Sequence, residues 1–234
     1  RGAAKNAESV IVIDDPSQYA EVLVTLETGG PEAAQRCAWA ARTFARTARY
    51  DAAIAAVLAS RACADRAGAA AELTPPAIHV LALERSRTLR YGENPHQPAA
   101  LYARAGEGSL LEAWKEGKEL SYNNLLDLEA AVTLVWRFEA ASCVIVKHSQ
   151  PCGVASAASL AEACALALAS DPLSAFGGIV AFNRVLDRET ADQLASQFIE
   201  CIAAPDFLPA ATDALAAKKN LRLVRLTARD LDCP

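Results

Sequence analysis

The chain has 234 residues, of which 53% are hydrophobic: ample for a packed core, long for one domain and short for two full ones. Its formal charge of −5 argues against a nucleic-acid partner, which needs a clustered basic surface. No run approaches the roughly 18 apolar residues of a membrane span. The seven cysteines (Cys37, Cys63, Cys143, Cys152, Cys164, Cys201 and Cys233) form no CxxC pair and read as reduced, mostly buried thiols of a cytoplasmic protein. No basic-then-apolar leader opens the chain. It begins RGAAKN, ends DLDCP and contains no Met, so both ends read as cut from a longer protein.

Arg1 to Asn6 reads as a helix end, and the β-branched Val10 to Ile13 as a buried strand. Asp15-Pro16-Ser17 turns the chain into a helix from about Gln18 to Glu27, which Gly29-Gly30 ends. Pro31 starts a long helical stretch with a break expected near Tyr50-Asp51. Its apolar stripe is Ala34, Cys37, Ala41, Phe44 and Ala48. Trp39 and Arg46 fall off that stripe and mark this helix as one that meets a partner. Residues 62–76 lose the periodicity, carry Gly and two Pro, and read as a linker.

Ile78 to Glu84 alternates like a strand. RYGENPHQ, from Arg90, is a turn by composition, and a return to strand follows by Ala103. A guanidinium held beside such a turn suits a phosphate, so Arg90, Tyr91 and His96 raise it above plain structure. Leu120-Ser-Tyr-Asn-Asn opens a helix with Leu125, Leu128, Val132 and Val135 as its buried stripe. Asn124 and Asp127 are candidate caps at its start.

Cys143 to Val146 is apolar and reads as a buried strand, followed by Lys147-His148 and a Pro-Cys-Gly turn. Ser159 with Glu162 then forms a capping box for a helix to Ala169. Beyond it, Gly177-Gly178 precedes a strand from Ile179 to Phe182, and Asp187 caps a helix to about Phe198. Glu200 to Ala203 and Leu221 to Leu226 are further strands. Strand, polar turn and helix make an α/β unit, and open α/β sheets bind ligands at the C-terminal ends of their strands.

Lys147 and His148 stand at such an end. His can take a proton and return it near neutrality, and an adjacent Lys supplies fixed positive charge for a developing oxyanion. The plainer alternative is a loop-capping His beside a solvated Lys. HSQPC faintly resembles a zinc-deaminase signature, but Gln150 replaces the Glu and no second Cys follows Cys152, so no metal is expected. A Cys152 nucleophile assisted by His148 is a minor alternative, because nothing nearby resembles a triad.

Taken together, LRYGENPHQ, LSYNNLLDLEAA, VIVKHSQPCGVA and DPLSAFGGIVAFN strongly resemble the bifunctional enzymes of late purine synthesis. These join AICAR (phosphoribosylaminoimidazolecarboxamide) formyltransferase to IMP cyclohydrolase. RGAAKN with VIVIDDPSQYAEVL resembles the end of their cyclohydrolase domain, so the resemblance covers essentially the whole chain.

It implies an α/β fold: residues 1–61 as the C-terminal part of a Rossmann-like cyclohydrolase domain and 62–76 as a linker. Residues 77–234 are then the first, cytidine-deaminase-like half of the transferase domain. By the same resemblance His148 accepts the proton of the AICAR 5-amino group as it attacks 10-formyltetrahydrofolate, the co-substrate, and Lys147 stabilises the transition state. Arg90, Tyr91, Asn124, Gly177 and Glu200 line the nucleotide site, and Lys5 moves a proton in the closure of FAICAR to IMP. A cytosolic homodimer acting on small molecules is implied, with transferase sites at the dimer interface. Gln150 stands where many bacterial relatives carry Asn, keeping the amide on one more methylene. The alternative from a different class is a non-catalytic nucleotide-binding or dimerisation module.

Overall fold

The computed structural model of the chain describes residues 1–66, 77–104, 114–116 and 119–226, with 62–66 and 114–116 described by their backbone alone. It divides into two units, Arg1–Ala82 and Leu83–Pro234. Most of the expected linker, residues 67–76, lies outside the described residues, and 62–66 continue a helix.

The first unit is helical. A 3-10 helix, Ala3–Asn6, is followed by a second, Pro16–Gln18, on which Asp15 accepts from the Ser17 N–H at 3.0 Å. Helix α1, Tyr19–Glu27, ends at Gly29 and Gly30, whose φ values of +111° and +86° suit glycine. Helix α2, Ala33–Arg66, runs unbroken through Tyr50-Asp51, since neither residue removes a backbone donor or crowds the preceding turn.

Two further expectations fail in this unit. Val10 to Ile13 joins no sheet: no strand of the first unit, among the described residues, offers it a ladder. The stripe from Ala34 to Ala48 is exposed, and the buried face of α2 carries Trp39, 2% exposed, with Ala40 and Thr43. In an Ala-rich helix small side chains occur all round, so the one large ring locates the core face. Arg46 is engaged within the unit, donating to the Asp14 carbonyl and to Asp15 Oδ2 at 3.0 Å.

The second unit opens with a hairpin of β1, Leu83–Leu89, and β2, Ala99–Arg104; β1 begins five residues later than the alternation suggested. Its main sheet contains β3, Trp114–Glu116; β4, Ala141–Lys147; β5, Gln150–Ala157; β6, Gly178–Phe182; β7, Ile199–Ala204; and β8, Arg222–Arg225. Their spatial order is β3-β8-β7-β6-β4-β5. Strands β6, β7 and β8 are parallel, whereas β4 runs antiparallel to both β5 and β6.

Helices cover both faces, which is why β6 and residues 143–146 of β4 are apolar throughout rather than alternating. Val144 and Val146 face α3, Tyr122–Val135, through Leu128, Val132 and Val135. Cys143 and Ile145 face the other layer: α4, Leu160–Ser170; α6, Arg188–Ala195; and α7, Pro209–Leu215. The short α5, Pro172–Ala175, lies between α4 and β6 in the chain.

Pro-Cys-Gly is therefore no turn. Pro151, Cys152 and Gly153 lie in β5, an edge strand, where proline is tolerated. Ser159 caps α4 by accepting from the Glu162 N–H at 3.2 Å, the single bond found of the expected box.

Candidate functional site

Two cavities of the second unit collect the chemistry. The first, about 570 Å³, brings together Arg90 and Tyr91 after β1, Ser121 and Asn124 at the start of α3, Glu200 in β7 and Arg222 in β8. Phe198 and the segment Ala217 to Leu221 complete its wall. The turn carrying Arg90 is closed by Gln97, whose carbonyl accepts from the Gly92 N–H at 2.7 Å and whose Oε1 accepts from the Asn94 N–H at 2.9 Å. The Arg90 guanidinium lies 4.8 Å from the Tyr91 ring centroid and donates to the Tyr91 hydroxyl at 3.1 Å.

Asn124 is 7% exposed because it forms a capping box with Ser121 and donates to Glu200 Oε2 at 2.8 Å. Arg222, equally buried, lies 3.5 Å from the same oxygen. It also donates to the carbonyls of Glu119 and Glu200 at 3.2 Å, so its desolvated charge is paired and hydrogen-bonded. Lys218 and Lys219 add two more cations to the wall. Cations beside an aromatic ring and a positioned carboxylate suit an anionic ligand that also offers a donor to Glu200.

The second cavity, about 680 Å³, is lined by Lys147, His148, Gln150, Cys152, Asp171 and Ser174, among others. His148 and Ser149 are the two loop residues of the β4–β5 hairpin, between the paired Lys147 and Gln150. Their φ values, +53° and +60°, are those a type I′ turn requires. Each non-glycine residue in that region costs on the order of 1 kcal/mol. The Asp127 carboxylate offsets this by accepting from the His148 N–H at 3.3 Å and the Ser149 N–H at 2.6 Å. Asp127 is thus no helix cap.

Lys147 Nζ donates to the Phe176 carbonyl. Asp171, whose carboxyl is held below its ordinary range by Ser174 hydrogen bonds, caps α5. Cys152 fits no nucleophile: burial pushes its thiol up, and Sγ donates to the Ile145 carbonyl at 3.6 Å. Burial likewise pushes Cys201 up to about 12 and raises Cys143 well above its ordinary value. Among the cysteines with described side chains, iodoacetamide at pH 8 is therefore expected to label exposed Cys37 first, and Cys143, Cys152 and Cys201 only slowly. Peptide mass mapping over a time course checks this, and rapid labelling of Cys152 would return it to candidacy.

Arg90, Tyr91, Asn124 and Glu200 thus meet in one cavity, while Lys147 and His148 line the other. Gly177 lines neither and stands between them. With φ +74°, its N–H donates to the Phe198 carbonyl at 2.6 Å, and a Cβ there would lie 3.3 Å from the Phe198 ring and 3.7 Å from Lys147 Nζ. Lys5 belongs to the first unit, exposed on the Ala3–Asn6 helix. Sequence reasoning missed Arg222, and took Asp127 for a helix cap rather than for the group that holds the His148-Ser149 turn. A charged residue inside the RLVR strand was a signal for Arg222, but an Asp in a helix that grips a distant turn leaves none. Among the described residues no group of three or more His, Cys, Asp or Glu is placed to hold a metal ion.

The AICARFT/IMPCHase bienzyme family matches residues 3–232. The bifunctional purine biosynthesis protein PurH of Acidithiobacillus ferrooxidans is 48% identical over 227 residues, 96% of this chain and 43% of that protein. PurH proteins of Anaeromyxobacter sp. strain K and Sorangium cellulosum are 47% and 45% identical, again over 96% of this chain. The chain thus spans less than half the length of these relatives. Among solved structures, RibD of Acinetobacter baumannii matches 46% of this chain and 36% of its own at 15% identity, with a TM-score of 0.37.

Proposed function

The chain belongs to the AICARFT/IMPCHase bienzyme family, and from that we propose that it supplies part of an AICAR formyltransferase site and the end of an IMP cyclohydrolase domain. A folate-type formyl donor follows from the family, and 10-formyltetrahydrofolate is the donor proposed. The observation that carries this reading is the convergence of Arg90, Tyr91, Asn124 and Glu200, from separated parts of the chain, on one cavity. The phosphoribosyl group of AICAR offers the phosphate that Arg90 and the neighbouring lysines suit. Its carboxamide and 5-amino groups offer donors for Glu200.

The 5-amino lone pair is delocalised into the imidazole ring, so its attack on the formyl carbon needs proton removal and a stabilised oxyanion. His148 takes the proton and Lys147 faces the developing charge. The 3.7 Å approach of Lys147 Nζ to the Gly177 Cβ position, and of Gly177 to Phe198 in the nucleotide cavity, supports one continuous site. Lys5 serves the cyclohydrolase step. The second unit, with its β4–β5 hairpin beside the parallel run β6 to β8, is read as the deaminase-like half, and the first as the end of the Rossmann-like domain. The whole protein is proposed to be a cytosolic homodimer; exposed Leu23, Val24, Tyr50 and Leu58 on α1 and α2 support association.

Titration calorimetry of AICAR into the full-length protein tests the cavity assignment. R90A and E200Q are each expected to weaken binding about tenfold or more, which is about 1.4 kcal/mol. Unchanged affinity in R90A would remove the phosphate from this cavity.

A further inference from the structure

We infer that Asp127 is a positioning residue for formyl transfer: it holds the His148-Ser149 turn in its left-handed conformation and ties it to the helix that carries Asn124. The inference rests on the reading of His148 as proton acceptor. Both turn residues have positive φ, yet neither is the glycine, asparagine or aspartate that such a turn favours. A turn built from unsuited residues needs an external restraint. The bonds from both N–H groups to the two oxygens of one carboxylate supply it, from 21 and 22 residues away in sequence.

The restraint also has a direction. Asp127 lies on α3 one turn beyond Asn124, which contacts Glu200 in the nucleotide cavity. A single rigid turn of helix therefore carries one contact to each cavity. Backbone conformation at residue 148 decides where the imidazole points, and reacting groups displaced by about 1 Å can cost about 100-fold in rate. Asp127 itself touches no reacting atom on this account.

The test is steady-state formyl transfer by the full-length protein with D127A, D127N, S149G, D127A/S149G and H148N. D127A is expected to lower kcat by about 100-fold while leaving KM for AICAR unchanged, because the nucleotide cavity keeps its own residues. D127N, which keeps one acceptor oxygen, should fall less. Glycine at 149 adopts positive φ without penalty, so D127A/S149G is expected to recover much of the lost kcat. A residue that merely stabilised the fold would give neither the kcat-only loss nor the rescue. Thermal melts accompany each variant, and if D127A does not fold, D127N against D127N/S149G makes the same comparison. Undiminished kcat in the Asp127 variants, or a loss that S149G does not relieve, overturns the positioning role. An undiminished rate in H148N overturns the reading of His148 itself, which a positioning failure alone leaves standing.

Discussion

Replacing His148 in the full-length protein is expected to slow formyl transfer by roughly 100-fold or more, the usual scale for a lost general base. The side chain is exposed at the tip of a hairpin, so its removal leaves no buried cavity. The backbone is the confounding factor. With φ at +53°, alanine would strain or rearrange the turn, and part of any loss in H148A would be positional. Asparagine adopts that region readily and is favoured at the first position of a type I′ turn. H148N therefore removes the proposed base while keeping the turn, and its rate is the cleaner measurement. Consumption of 10-formyltetrahydrofolate with saturating AICAR is the readout. If H148N and H148A lose activity alike, the lost group is chemical; if H148N keeps the wild-type rate, His148 takes no proton.

The same turn shows what the sequence could and could not disclose. Buried strands β4, β6 and β7 announce themselves as largely apolar runs, because helices cover both faces of the sheet. Helix starts at Ser159 and Asp187 are legible because a capping oxygen bonds an N–H three residues away, a local event. The N-cap of α3 is instead Ser121, where the sequence suggested Asn124 and Asp127; Asn124 completes its capping box and Asp127 takes no part. Pairing direction is not local. Lys-His-Ser-Gln carries no glycine or asparagine, so nothing in it announces a two-residue hairpin. Proline and glycine after it mimic a turn, while the structure uses one on an edge strand and the other beneath a helix. The bulge that places Ile145 opposite Gly153 and Val146 opposite Pro151 leaves Cys152 as the extra residue. Arg90, Tyr91, Asn124 and Glu200 could be named through the family resemblance, but their convergence is a property of the fold alone. Arg222, signalled only as a charge inside a strand, gains its partner Glu200 across adjacent strands only there.

Gly153→Ala is expected to be among the most destabilising single-methyl additions in the second unit. A Cβ at this position would lie 2.2 Å from the carbonyl oxygen of Ala167, 3.0 Å from its carbonyl carbon and 3.4 Å from Ile145 Cδ1. The first two are backbone atoms in the interior of α4, and cannot swing aside as a side chain would. Relief requires lifting α4 from β5, and Ala163, Cys164 and Ala167, all fully buried, leave no slack on that face. Overpacking of this kind costs about 1–3 kcal/mol, and a backbone obstacle places this site at the upper end. At roughly 2–4 °C per kcal/mol for a unit of this size, the melting temperature should fall by several degrees. Gly2→Ala, where a Cβ would meet nothing within 4 Å, is the matched control and should leave it unchanged. The consequence reaches the site, because β5 starts at Gln150, directly after the His148 turn. A helix forced outward drags that strand, so G153A should also lower kcat at temperatures where the protein is still folded. Thermal melts and rates on the same preparation separate the two effects, and an unchanged melting temperature would mean that α4 does not approach β5 so closely.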